Sequence, residues 1–138
     1  MQRPDAPLTH LLKRHGLRPT RQRLALARLL FSDTNRHVSA EALHEEALGE
    51  GASVSLATVY NTLNQFTAVG LLREVVVDPN RCYFDTNTTD HHHLYFEDTG
   101  CLEDLEPSAV RIGKLPDPPA GTAISRVDLV IRLFRRPQ

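Results

Sequence analysis

Three consecutive histidines behind a carboxylate, Asp90-His91-His92-His93, stand at the entry to Leu94-Tyr95-Phe96-Glu97, a run rich in strand-forming residues. Imidazoles and carboxylates are ligands for divalent cations, so this stretch places several metal-binding side chains at one point of the fold. An extended segment sends successive side chains to opposite faces. His91 and His93 then share one face, and His92 turns to the other with Leu94 and Phe96. One short segment can therefore serve two environments. A bare histidine triplet is also what a solvated polar turn before a strand looks like, and the elements around it have to decide.

The 138 residues can form one domain or two small ones, and 41% hydrophobic content is ordinary for a globular protein. No apolar run approaches the roughly 20 residues of a membrane span, and no signal sequence opens the chain. The expectation is a cytoplasmic protein with no membrane partner. Cys82 and Cys101 lie far apart and in no Cys-x-x-Cys pair, which leaves neither a disulfide framework nor a four-cysteine zinc site and predicts two reduced thiols. Net charge is only −1, yet residues 1 to 36 carry eight Lys/Arg against Asp5 and Asp33, whereas residues 85 to 138 carry nine acids against six bases. That asymmetry suggests one surface for a polyanion and another for a cation.

Residues 1 to 7, with two prolines, read as a loose arm. A short helix over Leu8 to His15 stops at Gly16, and Thr20 caps a second helix running to about Phe31 with Arg21, Arg23 and Arg28 available to solvent or phosphate. Ser39 caps a third helix from Ala40 to about Leu48, and Ser55 a fourth through about Ala68. In the fourth, Leu56, Val59, Leu63 and Phe66 make a buried stripe. The opposite arc carries Ala57, Thr58, Asn61 and Gln65, with Tyr60 on its flank. These side chains are short, polar or planar and uncharged, which suits a helix laid in the major groove of double-stranded DNA.

Leu71 to Val77 and Arg81 to Asp85 read as strands joined by Asp78-Pro79-Asn80, with Arg73 and Arg81 as candidate cations for the DNA backbone. The fold class is α+β: a winged helix-turn-helix domain over residues 1–85, a hinge over 86–90 and a small C-terminal α/β dimerisation domain over 91–138. In the last, strands are expected over His92 to Glu97 and Cys101 to Leu105, a brief helix from Pro107 to Lys114, and a final strand from Ala123 to Phe134. So small a unit buries little core by itself, and pairing with a second copy would repair that; a homodimer also presents two reading helices to two half-sites of a near-palindrome.

Arg36-His37-Val38-Ser39-Ala40-Glu41-Ala42-Leu43, then Ser55-Leu56-Ala57-Thr58-Val59-Tyr60-Asn61-Thr62-Leu63-Asn64-Gln65-Phe66, then the histidine triplet, resemble the ferric uptake regulator (Fur) family over essentially the whole chain. The resemblance implies a homodimeric metalloregulator in which Tyr60 and Asn61 face bases and Arg18 reaches the minor groove. It also implies a regulatory site for Fe²⁺, Mn²⁺ or Zn²⁺ at His37, Asp85, His91, His93 and Asp104, joining both domains across the hinge. The family's structural zinc site is not expected, because Phe96-Glu97-Asp98-Thr99 stands where typical members carry Cys-x-x-Cys. A further family metal site is doubtful too, since Arg111 and Val127 occupy positions that it would need as an acid and a histidine.

Loss of those cysteines together with His91-His92-His93 resembles one subgroup, the iron response regulator (Irr) of alphaproteobacteria, which responds to haem. Neither Cys82 nor Cys101 precedes a proline, so haem ligation would rest on His91, His92 and His93. The reading is a haem- and metal-responsive regulator of iron and haem homeostasis, with an ordinary Fe²⁺- or Mn²⁺-dependent repressor as the alternative. No nucleophile motif or general-base pattern accompanies the ligands, so an enzyme is not expected.

Overall fold

The computed structural model describes residues 6–137, and the chain divides between Thr88 and Thr89 into two compact units. The expected arm over residues 1 to 7 falls largely outside the described residues. Its last two positions, Ala6 and Pro7, belong instead to helix α1 (Ala6–Arg14). Proline fits there because the first turn of a helix has no use for the missing N–H. Past its end, Gly16 adopts φ +78° and Leu17 N–H donates to the Leu12 carbonyl at 2.9 Å, closing the helix through a left-handed residue.

Helices α2 (Arg21–Leu30), α3 (Ala40–Gly49) and α4 (Leu56–Ala68) open alike. The hydroxyls of Thr20, Ser39 and Ser55 accept from the backbone N–H three residues on, at 3.2, 3.1 and 3.1 Å. Val59, Leu63 and Phe66 of α4 are fully buried in one core with Leu26, Ala27 and Leu30 of α2 and with Leu43 and Ala47 of α3.

The sheet of this unit has the order β1-β3-β2, built from β1 (His37–Val38), β2 (Arg73–Asp78) and β3 (Arg81–Asp85). The β2–β3 turn is closed by Asn80 N–H on Asp78 Oδ1 at 2.9 Å. Strand β1 has no signature in the sequence, since two residues cannot display a period. It is held by tertiary pairing: His37 lies opposite Asp85, Arg36 N–H donates to Thr86 Oγ1 at 2.9 Å, and Thr86 N–H donates to the Arg36 carbonyl at 3.1 Å. Helices followed by this sheet make a winged helix-turn-helix.

In the second unit, β4 (His92–Phe96) is the central strand, antiparallel to β5 (Cys101–Leu105) and parallel to β6 (Val130–Leu133). His93 and Tyr95 are buried, while His92, Leu94 and Phe96 are half-buried. Two expectations fail here. The helix from Pro107 to Lys114 reduces to a single 3-10 turn, Pro107–Ala109, and the strand from Ala123 to Phe134 reduces to β6. In the parallel register Val130 stands opposite His93, so the chain before about Leu129 runs past the start of β4 and finds no ladder to join. Residues 111–128 are exposed throughout, and an apolar stripe without a surface to pack on does not hold a helix or strand. Beyond β6, Arg135 Nε lies 2.9 Å from Asp98 Oδ2, and its guanidinium sits 5.7 Å from the centroid of the Phe96 ring.

Because the inner stripe of α4 is dry and its outer face solvated, truncation should separate the two. Leu63→Ala should cost about 2–5 kcal/mol in denaturant unfolding, whereas Asn64→Ala, on the exposed side, should stay within about 0.5 kcal/mol. Equal losses would contradict this packing.

Candidate nucleic-acid face and metal-ligand clusters

The outer face of α4 presents Ala57, Tyr60, Asn61 and Gln65 to solvent, with Thr58 half-buried beside them and no charged side chain among them. Arg18, Thr20, Arg23, Thr58, Asn61 and Gln65 line one open cleft of about 430 Å³. Arg23 forks across it. Its Nε and Nη2 donate to Gln65 Oε1 at 3.3 and 3.0 Å, and its Nη1 donates to the Arg18 carbonyl at 2.9 Å. On the far flank, Tyr60 Oη donates to Glu41 Oε2 at 2.7 Å. That bond holds the Glu41 carboxyl below its ordinary range and pushes the Tyr60 phenol above its own. The two wing cations differ. Arg81 is exposed, near Asp78, whereas Arg73 is buried at 5% exposure and stands opposite Asp85 in the β2–β3 register. Arg73 is thus placed for support of the sheet, not for reaching a phosphate, which corrects the expectation from sequence.

The metal-ligand residues fall into a pair in the first unit and a trio in the second. In the pair, the β1–β3 ladder sets His37 beside Asp85, with Nε2 3.1 Å from Oδ2. The other carboxylate oxygen, Oδ1, accepts from Asn87 N–H at 2.8 Å, so the orientation of Asp85 is fixed. Arg36, next to His37, is anchored in turn by both carboxylate oxygens of Glu46, at 2.9 and 2.5 Å, and by the Leu29 carbonyl at 3.0 Å.

In the trio, the ligand atoms of His91, His93 and Asp104 lie within 4.8 Å of one another. His93 and Asp104 are cross-strand partners on β4 and β5, and the Nε2 atoms of His91 and His93 stand 3.2 and 3.7 Å from Asp104 Oδ1. Donor atoms around one ion at about 2.0–2.2 Å lie roughly 3.0–3.6 Å apart, a spacing that the His37–Asp85 pair and the His91–Asp104 contact meet and that His93 comes close to, at 3.7 Å. His91 Nδ1 is 2.6 Å from the Thr89 carbonyl, which accepts its proton and leaves the Nε2 lone pair for a metal. His92 is set the opposite way. Its Nδ1 accepts from Leu129 N–H at 3.2 Å, so its proton resides on Nε2.

The sequence model of the family described as "Ferric uptake regulator family" matches residues 14–114. The ferric uptake regulation protein of Haemophilus influenzae is 37% identical over 91 residues, 65% of this chain and 62% of that protein. A peroxide-responsive repressor PerR of Staphylococcus aureus is 32% identical over 95 residues, 69% of this chain and 64% of that protein. The match therefore spans less than two thirds of the length of these relatives. A structure of the ferric uptake regulator from Pseudomonas aeruginosa with manganese superimposes with a TM-score of 0.69 at 27% identity, covering 94% of this chain and 98% of that one.

Neither thiol belongs to the pair or the trio. Cys101 is exposed on β5, whereas Cys82 is half-buried on β3, where burial and the neighbouring Glu74 push its thiol up to about 12. Thiolate is the reactive form, and a thiol pushed that high stays protonated at neutral pH. Iodoacetamide at pH 7.5 should label Cys101 in the native protein while Cys82 reacts only on unfolding, as peptide mass mapping would read. Prompt labelling of Cys82 would contradict that environment.

Proposed function

The chain belongs to the ferric uptake regulator family, and from that premise we propose that it is a metal-responsive transcriptional regulator that binds double-stranded DNA as a homodimer. The observation that carries the DNA reading is the outer face of α4. It is exposed and uncharged, it is flanked by Arg18 and Arg23, and it belongs to a winged helix-turn-helix. Base edges in the major groove are read by hydroxyl, amide and ring groups of this kind, while the cations beside them meet phosphate. The dimer reading is supported by the second unit's exposed Ile112, Leu115, Ile124, Val127 and Phe134, set against one fully buried aromatic, Tyr95.

His37 and Asp85 from the first unit, with His91, His93 and Asp104 from the second, would hold one divalent ion, as the resemblance implies. An imidazole and carboxylate set without thiolate suits Fe²⁺, Mn²⁺ or Zn²⁺. Ligands drawn from both units would then constrain the placement of the reading helix relative to the C-terminal unit, which is how metal binding would favour the DNA-competent dimer. Footprinting the full chain with Mn²⁺ and with chelator tests this. Protection of a near-palindrome should weaken in chelator, and His91→Ala should lower Mn²⁺ affinity by more than about tenfold. Tyr60→Ala should cost about 1–3 kcal/mol of specific DNA affinity at fixed salt. Sequence-specific binding indifferent to chelator would remove the metal part of the reading.

The finer reading is an Irr-like regulator of iron and haem homeostasis, in which haem at the triplet competes with the metal. It is supported by a hollow of about 330 Å³ lined by His92, the apolar Ile112, Leu115 and Val127, Asp90, and Arg126, whose Nε lies 3.0 Å from Asp128 Oδ2. The Leu129 hydrogen bond opposes it at His92 Nε2, so ligation by His92 would require that bond to break, while His91 and His93 are buried and do not line the hollow. Haem titrated into the Mn²⁺-loaded protein on DNA should then lower DNA affinity and shift the haem absorption band. Unchanged affinity at saturating haem would leave the ordinary metal-dependent repressor.

A further inference from the structure

We propose that Arg23 determines base specificity by positioning: it occupies the carbonyl of Gln65, so that the Gln65 amide reads DNA as a hydrogen-bond donor only and selects guanine over adenine. The inference rests on the DNA-binding reading above. Arginine has no acceptor atom, so the Gln65 atom facing its Nε and Nη2 at 3.3 and 3.0 Å must be the amide oxygen. The orientation of the amide, ordinarily an open choice, is thereby decided. The guanidinium edge covers the Gln65 oxygen with two N–H donors, and the NH₂ group is the end of the amide left to bond a base.

The consequence follows from what bases display in the major groove. Adenine offers an N6 donor beside an N7 acceptor, and a glutamine reads it with oxygen and nitrogen together. An amide oxygen already bonded twice by Arg23 is a poor acceptor for N6, so against adenine the NH₂ keeps a single donation, to N7, with N6 crowding it. Guanine offers two acceptors, O6 and N7, and suits a donor-only group. Arg23 is itself fixed, since Nη1 donates to the Arg18 carbonyl at 2.9 Å and the Arg23 backbone N–H donates to Thr20 Oγ1 at 3.2 Å. Three of its five N–H donors are used by these side-chain bonds, and the remaining two, one on each terminal nitrogen, are available to a phosphate. One residue thus both grips the backbone and sets what its neighbour can read.

The test is selection from a randomised duplex pool with the full chain in Mn²⁺, followed by titration of the winning site and its single-base variants. Wild type should prefer guanine at one position of each half-site, by roughly 5- to 100-fold over adenine. Arg23→Ala, which frees the Gln65 oxygen, should shift that position toward adenine while weakening all sequences alike through the lost cation. Gln65→Glu, which pairs with Arg23 but has no donor, should abolish the guanine preference, and it decides the matter if Arg23→Ala does not fold. An unchanged base profile in either variant, with only uniform loss of affinity, would overturn the inference and leave DNA binding standing. A wild-type protein that enriches no sequence with Mn²⁺ or with chelator would overturn the DNA reading and this inference with it.

Discussion

The whole N-terminal unit depends on the burial of one side of α4. Val59, Leu63 and Phe66 are removed from water against α2 and α3, and this packing fixes the rotation of the helix about its own axis. Rotation is what a reading helix must control, because a turn of one residue position would swing Asn61 away from the cleft and bring an apolar side chain into it. The three hydroxyl caps start each helix at a definite residue, so that the packed stripes of α2, α3 and α4 meet in one register. The outer face inherits its order from the inner one.

That order is refined by side chains that do not belong to the reading face. Glu41, in the first turn of α3, accepts the hydrogen bond of the Tyr60 hydroxyl, and Arg23, in the first turn of α2, donates to the carbonyl of Gln65. Each bond is exposed, and its stabilising effect on the fold is correspondingly small, on the order of 0–1 kcal/mol. Their effect on chemistry is larger. A group with one end committed offers only the other, so under the proposed DNA reading both pairs would narrow what the helix can recognise while adding little to its stability.

Much of this was legible in the sequence where the signal is local. Thr20, Ser39 and Ser55 announce helix starts, the 3.6 period of α4 announces its buried stripe, and the alternation around His91-His92-His93 separates the faces of β4. What was not legible comes from pairing at a distance. Strand β1 is two residues long and exists because β3 and Thr86 bind it. Val127 carries a strand's alternation, yet β4 begins too late to pair with it, and Leu129 joins only through its carbonyl, which accepts from His93 N–H at 3.0 Å. Arg73 reads as an exposed wing cation until its register opposite Asp85 is known. The residue types of the metal-ligand clusters were visible, but their grouping in sequence analysis came from the family resemblance, and the roles of Arg23 and Glu41 as partners of Gln65 and Tyr60 have no sequence signature at all.

The second unit shows how charge can do what a larger core does elsewhere. With Tyr95 as its one fully buried large aromatic, the three-stranded sheet has little apolar area with which to hold its edge strand β6. Arg132, on β6, lies 5.3 Å from the centroid of the Tyr95 ring with Nε 3.4 Å from Glu97, and Arg135 makes the corresponding contacts with Phe96 and Asp98. Each arginine covers an aromatic face and meets a carboxylate at the end of the same strand or in the turn after it, so desolvation of the ring and neutralisation of the charge occur together. Glu97 and Asp98 lie in the segment where the family resemblance would place a zinc-binding cysteine pair. In this chain that turn is tied to the C-terminal strand by ion pairs. Such ties are exposed to salt and contribute least when isolated, which is a further physical reason for the unit's bare apolar side chains to be covered by a second copy.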